Sequence, residues 1–547
     1  MPASFRLTLG QLNPVVGALA DNAARARAAW AEARAAGADM LALPEMFLTG
    51  YQTQDLVLQR AFQDDVAATL DGLARDCADG PALGIGAPWR EGGRLYNAWH
   101  VLRGGKVAAR VFKHHLPNEG VFDEHRLFSA GAISGPYAIG PLRIGSPICE
   151  DAWYPDVAEA QEESGAQILL VPNGSPYARG RLDTRMVHMV ARVVETGLPL
   201  VYLNMVGGQD DQVFDGASFV LNPGGRLAVQ LAPFETALVH VDFDETPEGW
   251  RARTGTRAPQ PDAREQDYRA MVEGVRDYLG KSGFSRALLG LSGGVDSALV
   301  ATIATDALGA GNVHAVLLPS RYTAASSTED AQEVAAALGV QLDTVPISGP
   351  QKAMLDALAP LFAGLPEDVT EENLQSRIRG TLLMALANKT GAMLLTTGNK
   401  SEYAVGYSTL YGDMSGGFAP IKDVPKLLVW ELARWRNTHA EARGETPPIP
   451  VGSIEKPPSA ELRPDQTDQD SLPPYELLDA VLELYISQLL GKDDIVALGY
   501  DRETVDFVTG LVDRAEWKRR QGAIGPKISA IAFGRDRRLP ITYRPTD

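Results

Sequence analysis

Short apolar runs alternate with longer amphipathic stretches along the first half of the chain. An alanine-rich stretch begins near Asp21, a residue type that caps helices, and ends near Gly37, a typical helix terminator. Short strands separated by helices of this kind are typical of layered α/β domains. The strand-like runs are Phe5–Asn13, Met40–Pro44, Ala82–Ala87, Arg143–Ile148, Ile168–Val171 and Leu200–Asn204.

The same alternation resumes in the second half after a break. Residues 246–264 lose the periodicity and mix Pro, Gly and charged side chains, so they are predicted to form a linker. A helix over Glu265–Leu279 follows, and strands at His314–Leu318 and Met393–Thr397 flank a helix at Thr328–Leu338. This order predicts a doubly wound, Rossmann-like parallel sheet whose ligands bind outside the carboxyl ends of its strands. We therefore predict two α/β domains, residues 1–245 and 265–547.

A proline-rich segment interrupts the second domain at residues 444–474. It contains prolines at positions 447, 448, 450, 457, 458, 464, 473 and 474. Loops of this length inside a compact domain are either disordered or functional. Because its sequence is not of low complexity, we predict that the segment forms a lid that covers a binding site.

Length, charge and cysteine content narrow the class of protein. A chain of 547 residues exceeds what a single hydrophobic core supports. Its net charge of −18 argues against nucleic acid or an anionic membrane as partner. Cys77 and Cys149 are the two cysteines, so no disulfide framework is expected and a reducing compartment is indicated. With no apolar run of about 20 residues and no signal-like N-terminus, we expect a cytoplasmic enzyme.

A glycine-rich turn follows an apolar strand in the second domain. The run Ala287–Leu291 leads into Ser-Gly-Gly-Val-Asp-Ser at 292–297, and helix-forming residues come next. Free N–H groups at such a helix start can hold phosphate, and Asp296 could hold Mg²⁺ against it. The turn lacks the lysine of a Walker A loop, so transfer of a γ-phosphate is not indicated.

This turn resembles the SGGxDS loop of the ATP-pyrophosphatase superfamily. The resemblance implies that the loop binds ATP and that the enzyme activates a carboxylate or carbonyl as an adenylate, with release of pyrophosphate. It places ATP contacts at Gly290, Leu291, Ser292, Gly293, Gly294, Val295, Asp296 and Ser297.

Three residues with complementary chemistry stand near strand ends in the first domain. Cys149 could act as a nucleophile if a base such as Glu45 removes its proton and a cation such as Lys113 steadies the oxyanion. Any chain of this length contains such residues, and their spacing alone leaves Cys149 equally open to a role as a buried core thiol.

The segments around these residues carry more information. PEMFLTGY, FKHHLPNEGVFDEHRLF and PICEDAW resemble, in that order, the three signature segments of the nitrilase (carbon–nitrogen hydrolase) superfamily. Over residues 4–245 the resemblance implies an α-β-β-α sandwich. It further implies Glu45 as general base, Lys113 as oxyanion stabiliser, Cys149 as the nucleophile that forms a thioester and Glu124 as a supporting acid. Cys77 has no such context and is interpreted as structural.

Segments of the second domain extend the resemblance to nearly the whole chain. NLQSRIRGTLLMALAN, TTGNKSEYAVGYSTLYGDMSGGFAPIKDV, EKPPSAELRPDQTDQDSLP and the tail DRAEWKRRQ to RRLPIT resemble the family of glutamine-dependent NAD⁺ synthetases. The resemblance implies that glutamine supplies ammonia, which amidates ATP-adenylated deamido-NAD⁺. The family usually has tyrosine after Leu-Pro-Asn, where this chain has Glu119, and a carboxylate there could meet the substrate ammonium instead.

The same resemblance implies the remaining contacts and partners. The alternative for Asn373 and Arg379 is a helix cap and a solvated face, and Lys518 lies in a basic run that is often only solvated. Mg²⁺ would be held by Asp296 and Glu402, and the enzyme is expected to be a homo-oligomer. The implied glutamine contacts are Tyr51, Glu119, Glu150, Ser175 and Arg181; the further ATP contacts are Arg321 and Thr397; the deamido-NAD⁺ contacts are Asn373, Arg379, Lys400, Glu402, Asp413, Lys422 and Lys518.

Two other functions stay open from the sequence. One is a related amidotransferase that aminates a different nucleotide, and the other is a non-catalytic nucleotide-binding regulator. The pair His114-His115 lacks the ligand spacing typical of zinc sites, so no catalytic zinc is predicted. The fusion of two domains also predicts a passage that carries ammonia, because ammonia released at neutral pH becomes protonated and loses its nucleophilicity.

Overall fold

A computed structural model describes residues 3–543 of the chain. It divides into two units, Met1–Pro261 and Asp262–Asp547. Over the described residues, no helix combines the length and the apolar character that crossing a membrane requires.

The first unit is built mainly from strands. Its strands are β1 (Ser4–Gln11), β2 (Met40–Ala42), β3 (Ala82–Glu91), β4 (Arg94–Arg103), β5 (Lys106–Phe112), β6 (Tyr137–Ile139), β7 (Leu142–Gly145), β8 (Ile168–Asn173), β9 (Leu200–Asn204), β10 (Val206–Gln209), β11 (Gln212–Asp215), β12 (Phe219–Asn222), β13 (Arg226–Gln230), β14 (Ala237–Thr246) and β15 (Gly249–Ala252). Its helices are α1 (Leu19–Ala35), α2 (Arg60–Asp76), α3 (Glu124–Leu127), α4 (Pro155–Glu163) and α5 (Arg181–Thr196), with 3₁₀ turns at Gln54–Leu58 and Cys149–Trp153.

Two sheets of the first unit face each other across one core. One has seven strands in the order β15-β14-β1-β2-β3-β4-β5, and the other has six in the order β13-β12-β9-β8-β7-β6. Alternation along each strand fills two layers: Ile168 and Leu170 of β8 pack between the sheets, whereas Leu169 and Val171 pack outward against α5. Helices α1 and α2 cover the outer face of the seven-stranded sheet. The unit is therefore the predicted α-β-β-α sandwich.

The second unit is rich in helices. They are α6 (Ala263–Lys281), α7 (Val295–Leu308), α8 (Ala325–Leu338), α9 (Ser348–Phe362), α10 (Val369–Thr390), α11 (Lys400–Val405), α12 (Lys426–Ala442), α13 (Val451–Glu455), α14 (Tyr475–Leu482), α15 (Lys492–Ala497), α16 (Arg502–Arg514) and α17 (Glu516–Arg519), with 3₁₀ turns at Ala310–Asn312 and Asp468–Asp470 and a π-helical turn at Glu483–Ser487. Its strands are β16 (Ala287–Gly290), β17 (Val313–Leu317), β18 (Gln341–Thr344) and β19 (Met393–Leu395).

These four strands form the parallel sheet that the sequence predicts. Their order is β18-β17-β16-β19, and every neighbouring pair is parallel. The chain moves outward from β16 to β17 and β18 and then crosses back to add β19 on the other side of β16. The strand order reverses at β16, and the crevice at such a switch point is where open α/β sheets bind ligands. The turn at 291–294, which follows β16, lies at this point.

The structure corrects two details of the sequence interpretation. The predicted linker, 246–264, contains β15, which pairs with β14 through a two-residue turn, and its Trp250 is buried in the sandwich core. The predicted strand Arg143–Ile148 ends at Gly145. Pro147 cannot donate to a ladder, and the Ile148 N–H donates instead to the carboxylate of Asp151, at 3.0 Å.

Candidate functional site

The predicted nucleophile, base, cation and supporting acid of the first unit come from four separate loops and turns. Glu45 follows β2, Lys113 follows β5, Glu124 begins α3 and Cys149 begins a 3₁₀ turn. All four side chains are buried. The backbone of Glu45 lies directly on β3, where a Cβ on Gly86 would stand 2.6 Å from the Glu45 carbonyl carbon. Only glycine permits that approach.

Lys113 lies between two carboxylates. Its Nζ is 2.7 Å from Glu45 Oε1 and 2.9 Å from Glu124 Oε2. The amide of Asn97 joins the same two acids, because its Nδ2 donates to Glu45 Oε1 at 2.8 Å and to Glu124 Oε1 at 3.1 Å. The Tyr51 hydroxyl donates to Glu124 Oε1 at 2.9 Å. Both acids are therefore fixed by several donors, as buried carboxylates require.

Burial and these charges set the protonation states. Burial lowers the pKa of Lys113, but attraction to Glu124 and Glu45 outweighs it and raises that pKa well above the ordinary value. Burial and the charge of Glu45 raise the pKa of Cys149 well above its ordinary value, although Lys113 opposes them. At neutral pH Lys113 is an ammonium ion and Cys149 a thiol. The thiol therefore needs a base at the moment it attacks a carbonyl.

The turn that carries Cys149 is held in a sparsely populated conformation. Cys149 has φ of 49°, in the left-handed region that residues with a Cβ seldom occupy. Asp151 fixes this turn from below: its Oδ2 accepts from Ile148 N, and its Oδ1 accepts from the backbone N–H groups of His114 and His115, at 2.9 and 2.7 Å. The nucleophile and the segment after Lys113 are thus tied to the same carboxylate.

The predicted glutamine contacts are divided between the buried centre and its rim. The Tyr51 hydroxyl is engaged with Glu124, and Ser175 is buried, with its Oγ accepting from Arg185 Nε at 3.0 Å. Glu150 and Arg181 are half-buried, and burial raises the pKa of Glu150. Glu119 is exposed to solvent.

Arg185 is a buried cation that the sequence interpretation missed. Its Nη1 lies 2.8 Å from both oxygens of Asp215, and its Nη2 donates to the backbone carbonyls of Ser175 and Pro176. Its helical spacing of four from Arg181 is the signal that could have found it. Through these bonds it fixes the loop that carries Ser175.

In the second unit, the glycine-rich turn adopts the shape of an anion cradle. Ser297 Oγ accepts from Ser292 N at 3.2 Å and donates to Gly294 O at 3.0 Å, which closes the turn on itself. Gly293 has φ of +85°, and a Cβ there would stand 2.1 Å from the carbonyl oxygen of Ser327. Helix α7 begins at Val295, so the N–H groups of its first turn face the end of β16.

A cavity of about 310 Å³ lies beside this turn. It brings together most of the predicted nucleotide contacts with residues of the proline-rich segment. The predicted residues that line it are Gly290, Leu291, Ser292, Gly294, Val295, Asp296, Ser297, Arg379, Thr397, Glu402 and Asp413. Burial raises the pKa of Asp413 to about 6.

Three carboxylates and one ammonium group meet at the floor of this cavity. Asp296 Oδ2 forms an ion pair with Lys426 Nζ, and its Oδ1 accepts from Asn399 Nδ2 at 2.9 Å. Burial and the neighbouring Asp296 raise the pKa of Glu402 well above its ordinary value. Burial also raises the pKa of Asp468, whose Oδ2 accepts from the Tyr475 hydroxyl at 2.7 Å. An excess of acid over base in one pocket favours a cation.

Six predicted contacts do not line the cavity: Gly293 of the glycine-rich turn and five residues elsewhere in the unit. Lys400 forms a buried ion pair with Asp423 and donates to Ser529 and Ile531, while Lys422 donates to the carbonyl of Ala523. Lys518 donates to the carbonyls of Gly406 and Ser408, and Asn373 accepts from Thr409. Arg321 is exposed, with its guanidinium over the ring of Tyr322. Apart from Arg321, these side chains connect separate segments of the second unit.

The proline-rich segment forms part of the cavity wall. Lys456 and Glu461, both in this segment, line it. Lys456 pairs with Asp330 at 2.6 Å, and Ser327 Oγ donates to Glu461 Oε1 at 2.5 Å. Ser453 Oγ donates to the carbonyl oxygen of Gly293 at 2.8 Å. The segment is thus anchored directly on the glycine-rich turn.

Comparisons with known proteins agree along the whole chain. The carbon-nitrogen hydrolase family matches residues 6–252 and the NAD synthase family matches residues 267–522. The glutamine-dependent NAD(+) synthetase of Rhodobacter capsulatus is 60% identical over 550 residues, which cover 100% of both chains. That of Xylella fastidiosa strain 9a5c is 47% identical, with 99% of each chain covered. The solved glutamine-dependent NAD+ synthetase of Acinetobacter baumannii, in complex with ADP, matches with a TM-score of 0.79 at 40% identity over 98% of each chain.

Proposed function

The chain belongs to the family of glutamine-dependent NAD(+) synthetases, and from this premise we propose how its own residues divide the work. The protein is a ligase that uses ATP. In our proposal the first unit hydrolyses glutamine to glutamate and ammonia. The second unit adenylates deamido-NAD⁺ and lets ammonia displace AMP, which yields NAD⁺, AMP and pyrophosphate.

One observation carries this proposal. Cys149 lies among the buried charges of Glu45, Lys113 and Glu124, in the same chain as a phosphate-binding turn with acidic neighbours. The first arrangement supports nucleophilic attack on an amide, and the second supports ATP chemistry without a Walker lysine. Only the two arrangements together would couple the release of ammonia from glutamine to its use in an amidation.

The amidase step follows from the protonation states. As Cys149 Sγ bonds to the glutamine carboxamide carbon, Glu45 takes the thiol proton, and Lys113 Nζ, still charged, donates to the oxyanion. The C–N bond then breaks, Glu45 returns the proton to the departing ammonia, and a thioester remains. Water hydrolyses the thioester to glutamate and restores the thiol. Glu124 and Asn97 hold Lys113 and Glu45 in place throughout.

In the second unit the glycine-rich turn would hold the ATP phosphates through its backbone N–H groups. The carboxylate of deamido-NAD⁺ bonds to the α-phosphorus, and pyrophosphate leaves. Ammonia then adds to the activated carboxyl carbon, and AMP leaves. Arg379 and Lys456 line the same cavity, and their positive charges suit the negative charges of the phosphates.

We propose Mg²⁺ as the metal that accompanies ATP here. The residues fit it, because Asp296, Glu402 and Asp468 offer hard carboxylate oxygens and outnumber the one ammonium group, that of Lys426, which lies beside them. Asp296 and Glu402 would hold the ion, which when bound supplies charge neutralisation of the phosphates. Lys426 forms an ion pair with Asp296 and holds its carboxylate in place.

Location and assembly are parts of the same proposal. A cytoplasmic enzyme that forms homo-oligomers is the expectation from composition and from the family, and gel filtration with light scattering would measure the assembly.

The decisive experiment incubates the purified chain with deamido-NAD⁺, ATP, Mg²⁺ and glutamine. We expect NAD⁺, AMP and pyrophosphate in equal amounts. Formation of ADP, or turnover of another nucleotide acid in place of deamido-NAD⁺, would contradict the proposal.

A Cys149→Ala variant separates the two units. It should lose glutamine-supported synthesis and keep ammonia-supported synthesis, because the synthetase cavity is built entirely from the second unit. Cys77→Ala is the matched control, since that thiol is also buried but packs in the helical layer outside the seven-stranded sheet, where its charged neighbours are Asp76 and Arg27 rather than Glu45, Lys113 and Glu124. Glutamine use that survives in Cys149→Ala would remove Cys149 from the mechanism.

A further inference from the structure

A cluster of two histidines and one aspartate lies in the first unit, and neither family role accounts for it. His114, His115 and Asp156 each offer one ligand atom, and these atoms lie within 4.8 Å of one another. Adjacent histidines do not form a metal-binding motif by sequence. Asp156, at the start of α4, completes the cluster from 41 residues further along the chain.

The hydrogen bonds of the two rings indicate which nitrogen of each histidine carries a proton. His114 Nδ1 lies 2.7 Å from the carbonyl oxygen of Gly131. A carbonyl only accepts, so Nδ1 carries the proton and Nε2 keeps its lone pair in the neutral ring. An imidazole that donates one N–H to a backbone carbonyl is the usual arrangement of a metal-binding histidine. His115 Nε2 donates to the Asp156 carboxylate at 2.9 and 3.0 Å, and a metal ion bound between the two groups would replace that proton, which is released to solvent.

The backbone holds the two histidines in position. The N–H groups of His114 and His115 both donate to Asp151 Oδ1, at 2.9 and 2.7 Å. The two rings stand edge to face, with centroids 4.7 Å apart, and the Tyr154 ring lies 4.4 Å from that of His115. With the backbone fixed, only side-chain rotation separates the present arrangement from a coordinating one.

We propose that His114, His115 and Asp156 form a binding site for a divalent transition-metal ion, with Zn²⁺ as the type. Two imidazoles and one carboxylate are a donor set that zinc accepts, with water or another ligand in the fourth position. Zn–N bonds of about 2.0–2.1 Å in a tetrahedron place ligand atoms roughly 3.3 Å apart. The observed separations of up to 4.8 Å therefore close with small rotations.

This site differs in chemistry from the acidic cavity of the second unit. The cavity offers only oxygen, which Mg²⁺ prefers, whereas the histidine cluster offers nitrogen, which favours borderline-soft ions. The cluster is also partly open to solvent, with side-chain exposures of 26% for His115 and 47% for Asp156. An ion can therefore enter it without displacing the core.

The experiment measures metal binding to the full chain. Equilibrium dialysis with Zn²⁺ is carried out in the Cys149→Ala background, so that the nucleophile offers no competing thiolate. Co²⁺ replaces Zn²⁺ in a parallel titration, because its visible absorbance reports coordination geometry. With excess Mg²⁺ present to occupy the acidic cavity of the second unit, we expect one Zn²⁺ ion per chain and a four- or five-coordinate cobalt spectrum.

Three variants test the assignment. Asp156→Asn and His114→Ala should each weaken binding by at least about 10-fold, the lower range for a perturbed metal site. His125→Ala is the matched control, because His125 is an exposed histidine of the same unit outside the cluster. Asp156 is half exposed, so its variant keeps the test valid if His114→Ala fails to fold. Absence of stoichiometric binding, equal affinity in Asp156→Asn, or an equal loss in His125→Ala would overturn the proposal.

Discussion

Replacing Glu124 with glutamine tests the electrostatic design of the amidase centre most directly. Glu124 accepts three hydrogen bonds or ion-pair contacts, from Tyr51 and Asn97 at one oxygen and from Lys113 at the other. Every partner is a donor. A glutamine must therefore turn its NH₂ group towards the ammonium of Lys113 or towards the other two donors, and either choice breaks contacts.

The size of the effect follows from the same contacts. Burial lowers the pKa of Lys113, and Glu124 is the strongest of the charges that raise it, with Glu45 next. Glu45 stays at 2.7 Å in the variant, so Lys113 remains charged but loses one of two anchors. Complete loss of an oxyanion donor costs roughly 10²–10³ in rate. Misplacement of a retained donor should cost about 10–100-fold, or about 1.4–2.7 kcal/mol of barrier.

The assay compares two nitrogen sources. In Glu124→Gln we expect the glutamine-supported kcat for NAD⁺ formation to fall by about 10–100-fold, while the KM for glutamine changes much less. Ammonia-supported synthesis should stay at the wild-type rate. Glu163→Gln, an exposed glutamate at the end of α4, is the control for the loss of a charge.

Two results would refute this reasoning. A Glu124→Gln enzyme with nearly normal glutamine turnover would mean that Glu45 alone positions Lys113. An equal fall with both nitrogen sources would mean that Glu124 supports the fold rather than the amidase centre.

Three further predictions concern other parts of the chain. Gly293→Ala should lower the unfolding free energy by at least about 2 kcal/mol, because it combines a positive φ with a clash against Ser327. Gly294→Ala is the control: its Cβ would lie 3.5 Å from the nearest neighbouring atom, so this variant should unfold like wild type in a thermal melt. The pKa of Asp413 is raised to about 6 from an ordinary value of 3.8, so between these pH values the native state holds a proton that the unfolded chain releases. The unfolding free energy of the wild type should therefore fall relative to that of Asp413→Asn as pH rises from about 4 to 6, by up to about 3 kcal/mol. Melting temperatures of the two proteins that change in parallel across this range would contradict the prediction. If ammonia passes between the sites without release, ¹⁵N-ammonium added under saturating glutamine should label little NAD⁺, and heavy labelling in mass spectra would exclude a sealed route.

The sequence predicted the layers well because each layer leaves a local pattern. Ile168–Val171 alternates between two buried faces, and the structure uses both faces. The hairpin strand β15 was missed, because Trp250 is a single apolar residue among charges and its burial depends on a partner strand. The α/β layering therefore came from periodicity and the α-β-β-α sandwich from the motif resemblance, while the error came from a contact between strands.

The candidate site residues likewise fall into those marked by a local sequence pattern and those that depend on contacts between distant segments. Motif resemblance predicted Glu45, Lys113 and Cys149, because each lies in a distinctive local segment. Asn97 and Lys426 were missed because they contribute one polar atom each from regular elements, and nothing beside them in sequence marks that atom. Resemblance also cannot tell where a long side chain points.

The neutral, buried thiol of Cys149 also determines how fast the enzyme reacts with thiol-modifying reagents. Thiolates, not thiols, react with alkylating agents and peroxides, so a raised pKa and 4% exposure protect this nucleophile from both. Oxidative stress should spare nitrogen release, and general thiol labels should modify Cys149 slowly. A covalent inhibitor would therefore need to resemble glutamine and carry its electrophile at the carboxamide position. There, Glu45 would remove the thiol proton as Cys149 attacks the electrophile.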